Sequence, residues 1–325
     1  MRPYFETEEF VFKIEPKWIT LFSFIRQFIF LLLHMHRFSV YVCQFAGYHS
    51  FLPSLFSKIL NKKLIIITAG YDCASLPAIG YGSFRKSLMR FFTVLSYKLC
   101  NHIAPVDESL VYQNYRYDVR FSNQGIKYFM PGLMTPITVI YYGYDKTFWY
   151  KSREKEPNTF LTVCGRGTRT AMHRKGIDLI HEVAGHFPQC TFIILGSAEA
   201  ASLFPPLPNV VIKPFIPHHE LIDHYSRAEF YLQLSLFEGF PNALCEAMLC
   251  ECIPIVSEVS AMPKIVGDSG FILKKRDVDE LRNLIAQALR SDKEKLAKLA
   301  RQRIADNFPE EKRQQGLKQL IGQYV

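Results

Sequence analysis

Two carboxylates stand eight residues apart in the stretch FEGFPNALCEAML, Glu238 ahead of an apolar run and Glu246 inside it. The preceding EFYLQLS reads as a strand. LFEGFPN is then the loop at its carboxyl end, and NALCEAML is a helix. Pro241 suits the first turn of that helix, where a missing N–H costs nothing. The first N–H groups of a helix are unpaired and carry partial positive charge, a setting for a phosphate or sugar oxygen. Gly239 lets a ligand approach the backbone closely. Glu246, about one turn in, is placed to accept two vicinal hydroxyls, as on a ribose. Glu238, in the loop above, is placed to accept sugar hydroxyls. The plainer alternative is that both acids only complement the helix dipole.

A second group of residues carries the opposite charge. In CGRGTRTAMHRKGIDLI, Arg166 follows a strand ending at Cys164, and Lys175 with Gly176 precedes the next helix; Arg169 and Arg174 add charge. A cationic loop at the carboxyl edge of a strand suits a diphosphate, because Arg offers planar bidentate contacts and Lys a point charge. A solvated basic loop is the alternative.

These residues must be positioned by alternating strands and helices. SVYVCQF, KLIIITAG and NHIAPV read as strands, with helices HSFLPSLFSKIL and SFRKSLMRFFTVLSYKLC between them. A further helix opens at Asp107, and ITVIYYG (Ile137 to Gly143) closes this half. A polar segment, Asp145 to Thr159, reads as a linker. The pattern then restarts, with FLTVCGRG, CTFIILGS, NVVIKPF, EFYLQLS, IPIVSE and GFILKK as strands and a helical remainder from Asp277. Alternation of this kind implies parallel sheets with helices on both faces. Two such sheets joined by a linker create a cleft, with ligands at the carboxyl ends of the strands. The expected domains are residues 1–147 and 148–325, the last helix returning to the first domain.

Composition bounds the function. The 325 residues, 49% hydrophobic and 21% charged, are enough for two cores. The 8 cysteines form no CxxC pair, which favours a reducing cytoplasm over disulfides or zinc. The formal charge of +9 suits nucleic acid, anionic lipid or phosphate-bearing substrates. No nucleic-acid-binding signature supports the first, so no nucleic acid is expected as a partner. Ile19 to Met35, interrupted by Arg26, falls short of the ~20 residues of a membrane span. It reads either as a helix buried against a sheet or as one touching a bilayer surface. Arg85, Lys86, Arg90 and Lys98 lie among Phe84, Leu88, Phe91, Phe92 and Leu95. That helix either lies on an anionic membrane or covers a sheet with a solvated basic face.

GRGTRTAMHRKGIDLI resembles the GR…KG…LI motif of retaining GT-B glycosyltransferases of family four, the glycosyl transferases group 1. VVIKPFIPHHELIDHYSRAEFYLQLSLFEGFPNALCEAM resembles the run from that family's base-binding loop to its E-x7-E motif, and MPKIVGDSGFIL the segment after it. Together these cover most of Phe160 to Leu273. Fainter echoes are FAGYHSFLPSLFSKILNKKLIIITAGYD, NHIAPVDESL and ITVIYYGYDKTFW.

The resemblance implies an α/β GT-B fold, two Rossmann-like doubly wound domains facing across a cleft. It implies that Arg166 and Lys175 bind the donor diphosphate, Glu246 the donor ribose and Glu238 the transferred sugar. Backbone amides at Gly239, Phe240 and Asn242 would hold sugar or phosphate, and the loop near Pro214, Phe215 and Ile216 would pack on the base. Lys213–Pro214 replaces the glycine often found there. No metal or other cofactor is implied. The first half departs from the family: no glycine-rich loop follows a first strand, and TAGYDCASLP lacks the His many members carry. Tyr71 and Asp72 occupy that loop. Asp72 either meets a sugar or acceptor hydroxyl or holds its own backbone. His49 is a cleft candidate, with capping or packing as the alternative.

The implied function is transfer of a sugar from a nucleotide-diphosphate donor to an acceptor hydroxyl with retention, in cell-surface polysaccharide or lipid-linked oligosaccharide synthesis. The implied location is cytoplasmic, peripheral at the inner face of the cell membrane. The alternative is a non-catalytic nucleotide-sugar-binding protein or a partner subunit of a glycosyltransferase complex.

Overall fold

The computed structural model describes residues 5–13, 17–165, 169–196 and 203–325. The chain divides into two compact units. The first joins Met1–Gln113, Asn123–Tyr141 and Glu311–Val325, and the second joins Asn114–Ser122 and Tyr142–Glu310.

The first unit is built on a parallel sheet of β1 (Val40–Gln44), β2 (Lys63–Thr68) and β3 (His102–Pro105), in that order. Val42 pairs with Ile65, and Ile66 with Ile103. The central β2 is buried from Leu64 to Thr68, as its unbroken apolar run requires of a strand covered on both faces. The crossovers are α2 (Tyr48–Ile59) and α3 (Ser87–Leu99). Ser50, Ser54 and Ser57 are buried along α2, and Ser50 Oγ donates to Ser96 Oγ of α3 at 2.8 Å. Small side chains thus let these two helices approach closely.

Two sequence expectations are corrected after β3. The helix opening at Asp107 is a single tight turn, Glu108–Leu110, closed by Asp107 Oδ1 accepting from Ser109 N at 2.8 Å. Ile137 to Gly143 runs beside β3 without forming a strand of its own. Thr138 N donates to Ile103 O and Ile140 N to Pro105 O, while Pro105 and Pro136 bring no N–H to the ladder.

The helix α1 (Lys17–His34) is oriented against its composition. Its inward face carries Ser23, Gln27 and Leu31, followed by Met35, and Gln27 Nε2 donates to His49 O at 2.7 Å. Its outward face carries Leu21, Phe22, Ile25, Phe28, Ile29, Leu32 and Leu33, all between 44% and 66% exposed. The helix packs on α2, with Phe28 edge-on to Phe56, and meets α3 through Phe24 and Phe92. The expectation of a helix buried against a sheet is therefore corrected: its apolar face looks outward. Among the described residues, no helix is long and apolar enough to cross a membrane.

Among the described residues, the second unit holds six parallel strands: β4 (Glu156–Val163), β5 (Thr191–Leu195), β6 (Val210–Lys213), β7 (Ala228–Gln233), β8 (Ile253–Ser257) and β9 (Phe271–Leu273). Their order is β6-β5-β4-β7-β8-β9. The chain therefore winds outward twice from the central β4/β7 pair, which is the point where connections leave in opposite directions. β4 begins earlier than expected, inside the polar segment read as a linker. It is irregular between Glu156 and Phe160, with Asn158 at φ 56, a conformation Asn tolerates. Phe160 stacks between Phe192 and Phe230 at ring separations of 4.9 and 4.6 Å, forming the centre of the core. Lys155 Nζ donates to the carbonyls of Tyr225, Ala228 and Cys250, fastening the start of β4 to its neighbours.

Candidate functional site

Because β4 and β7 are neighbours, the loops at their carboxyl ends lie side by side. The first leads through α5 (Arg169–Arg174) to α6 (Ile177–Ala184), and the second leads to α8 (Asn242–Leu249). Leu236 N donates to Arg174 O at 2.7 Å, joining the two loops directly. Gly176, at φ +72, makes that closeness possible: a Cβ there would stand 2.2 Å from Leu234 O.

Glu238 is the focus of this junction. Its Oε1 lies 2.7 Å from Lys175 Nζ and 3.2 Å from Arg174 Nη1. It also accepts from Ser235 Oγ at 2.8 Å and Gln233 Nε2 at 3.2 Å. Gln233 and Ser235 are themselves buried, and Gln233 Nε2 donates to Ser235 Oγ. Burial works against the Glu238 charge, but Lys175 and Arg174, with hydrogen bonds from Lys175 and Ser235, outweigh it and hold its pKa down to about 2. Glu238 is thus a fixed anion held through its Oε1, with its backbone N–H donating to Ser260 Oγ at 3.2 Å.

Glu246 sits in the buried body of α8, four residues after its first residue. Its Oε1 meets His218 Nε2 at 2.8 Å, and its Oε2 accepts from Tyr225 OH at 3.3 Å. Burial raises its pKa, against the lowering effect of His218 and Tyr225. The His218 side chain is 68% exposed, whereas that of Glu246 is 5% exposed. The rings of His218 and Tyr225 both stand edge-on to Trp149, at 5.1 and 5.8 Å. An exposed imidazole therefore covers a buried carboxylate, which could accept from a ligand with paired hydroxyls.

The rest of the expected donor residues divide between these two acids and their surroundings. Pro241 is the residue just before α8, at φ −73 and ψ 104, so the expected first-turn position is shifted by one. Asn242 opens the helix, and its Oδ1 accepts from Tyr144 OH at 2.9 Å. Gly239 and Phe240 are buried, the Phe240 ring packing on Tyr142, Tyr144 and Phe308. Phe215 and Ile216 follow β6, with Phe215 49% exposed. Arg166 lies outside the described residues.

The candidates of the first unit have local partners. Asp72 is fully buried, and its carboxylate accepts from Ala46 N at 2.9 Å, Tyr97 OH at 3.0 Å and Thr68 Oγ1 at 3.2 Å. The N–H of Gly70, two residues back, also donates to it at 3.3 Å. Tyr71 is exposed and stands edge-on to Tyr81. His49, in the first turn of α2, has Nε2 2.6 Å from Gln44 O.

Sequence reasoning missed His218, Gln233 and Ser235, and gave Arg174 only a general charge. The signal for Gln233 and Ser235 was two polar residues, alternating, at the end of an apolar strand. His218 carried no local signal, because its partner is 28 residues away.

The fold is of the α/β class with parallel sheets, and it is similar to solved GT-B structures. Sucrose-phosphate synthase from Thermosynechococcus elongatus superposes with a TM-score of 0.75 at 17% identity, covering 96% of this chain and 80% of that one. Anabaena HepE, solved in complex with UDP, superposes with a TM-score of 0.72 at 15% identity, covering 91% and 81%; it is also solved with UDP-glucose. Residues 147–305 match the family model described as Glycosyl transferases group 1. A curated relative, O-antigen chain mannosyltransferase B of Escherichia coli, is 33% identical over 78 residues, 24% of this chain and 20% of that protein. The chain thus spans about a fifth of the length of that relative.

Proposed function

We propose that this protein is a glycosyltransferase that moves a sugar from a nucleoside-diphosphate donor to an acceptor hydroxyl with retention of configuration. The observation that carries the reading is the cluster of Glu238 with Lys175 and Arg174 at the carboxyl ends of the central strands, with Glu246 following in α8. In this reading Glu246 takes the ribose hydroxyls as His218 gives way, and Glu238 takes a hydroxyl of the transferred sugar. Lys175, with Arg166, faces the diphosphate. Amides of Gly239, Phe240 and Asn242 complete the cradle, and Phe215 and Ile216 pack on the base. The bond from the sugar's anomeric carbon to the diphosphate breaks as that to the acceptor oxygen forms. The acceptor proton passes to the departing diphosphate. The protein's part is positioning and stabilising the leaving charge, which the cationic loop supplies without a metal.

HepE's complexes with UDP and UDP-glucose support a nucleoside-diphosphate-sugar donor, and the O-antigen relative supports a saccharide acceptor; in this reading the acceptor is a saccharide or lipid-linked saccharide met at the cytoplasmic face of the cell membrane. A second reading, binding without turnover as a partner subunit, is favoured by the three-stranded sheet of the first unit. Release of nucleoside diphosphate from a panel of nucleotide sugars, with polyprenyl-linked saccharides as acceptors, separates the two. Transfer with the product anomer matching the donor supports the first reading. Binding by calorimetry without release supports the second, and an inverted product overturns retention.

A further inference from the structure

The outward face of α1 is an exposed apolar surface. Ile25, Ile29 and Leu32 recur at helical spacing and are each half exposed or more. An exposed apolar patch of this kind marks an interaction surface. The surface continues onto α3, because Phe24 of α1 meets Phe92 of α3, Phe92 meets Phe91, and Phe91 and Leu88 stand exposed. Beyond Phe91 lies a groove of about 640 Å³ floored by Phe84, Val94 and Phe129 and lined by Arg85, Arg90 and Lys98, with no carboxylate in its lining. The buried Nε of Arg85 has no hydrogen-bond partner among the described residues.

Charge selects the occupant. Lys17 to Cys100 contains ten lysines and arginines and one acid, Asp72, which is fully buried; of the acids ahead of α1, Glu8 is paired with His34 and Arg37. A second copy would bring one strongly basic face against another, which repels. An anionic bilayer answers both features, since it takes apolar side chains below its head groups and supplies phosphates above them. At 18 residues α1 is about 27 Å long, and it is not a spanning helix.

We propose that α1 lies in the plane of an anionic membrane with Ile25, Ile29 and Leu32 among the acyl chains, while the Arg85–Arg90–Lys98 groove receives lipid phosphates. The inference is independent of the reaction proposed above, since it uses no residue of the second unit.

The test is flotation of the full chain with vesicles of phosphatidylcholine, with and without phosphatidylglycerol. The parent should bind the anionic vesicles preferentially, and less so as salt rises. Ile25→Glu with Leu32→Glu should lower that binding at least about tenfold, since each removes a side chain worth more than one decade of partitioning. Arg90→Glu with Lys98→Glu should abolish the preference for phosphatidylglycerol. Leu32→Trp guards against misfolding: its fluorescence should be quenched by lipids brominated in their acyl chains, beyond any quenching in the parent. Equal binding by parent and Ile25→Glu/Leu32→Glu, or no added quenching in Leu32→Trp, overturns the proposal. So does a parent that ignores vesicles and sediments as a dimer which Ile25→Glu/Leu32→Glu disperses.

Discussion

Lys175 Nζ stands 2.7 Å from Glu238 Oε1, although one residue ends the loop after β4 and the other lies in the loop after β7. The pair sets a competition. The same ammonium that holds Glu238 ionised is the one proposed to face the donor diphosphate. Lys175→Ala should therefore weaken nucleoside diphosphate binding more than monophosphate binding. Calorimetric titration with both nucleotides checks this, and equal losses would remove Lys175 from the diphosphate.

Glu238 should also leave a mark on acid stability. Its pKa is lowered from 4.5 to about 2 in the folded chain. The folded state then binds fewer protons than the unfolded one, so the stabilisation is present above about pH 4.5 and is lost as pH falls towards 2. A depression of that size corresponds to about 3 kcal/mol. Urea unfolding across this window should lose stability less steeply in Glu238→Gln than in the parent. Parallel curves would mean that the ion pairs contribute nothing.

Glu246 has the opposite sign. Burial raises its pKa, so the folded state binds more protons than the unfolded one. Its contribution is present below the ordinary value of 4.5 and lost as pH rises through the raised one. Glu246→Gln should therefore unfold at equal or higher denaturant than the parent near neutral pH. The same substitution should weaken nucleoside diphosphate binding by about 1.5–3 kcal/mol, the scale of hydrogen bonds to a charged group. Unchanged affinity in calorimetry would remove Glu246 from the ribose.

Gly176 and Gly165 share φ +72, but only Gly176 has backbone in the way. Gly165→Ala should cost about 1–2 kcal/mol, the strain of a left-handed alanine. Gly176→Ala should cost clearly more, about 3 kcal/mol or above, because Leu234 O would lie 2.2 Å from the new Cβ. It should also weaken donor binding by moving the β7 loop that carries Glu238. Thermal unfolding of both variants settles the ranking, and equal costs would show that the loops part freely.

Asp72→Asn should lower the melting temperature while leaving nucleotide affinity unchanged. Its carboxylate is committed to Ala46 N, Tyr97 OH and Thr68 Oγ1, and an amide cannot accept from all three in the same way. A stable variant with altered transfer to acceptor would return Asp72 to the acceptor role.

Much of this architecture was legible in the chain itself. Apolar runs such as KLIIIT and IPIVS are buried strands because a parallel strand covered on both faces must be apolar throughout. The helix body NALCEAML, with Glu246 one turn inside it, followed from local spacing and from Pro241, and the structure moved the proline by only one position. Such features depend on neighbours in sequence, which the sequence contains. Tertiary structure alone decided the rest. Whether Glu238 is a free acceptor or a clamped anion depended on β4 lying beside β7, which brings Lys175 and Arg174 to it. His218 reached Glu246 by the same long-range route. The apolar content of α1 was plain in the sequence, but its direction was not. An apolar stripe turns inward only if a neighbour covers it, and here α2 and α3 take the side bearing Ser23 and Gln27, leaving Ile25 and Leu32 outside.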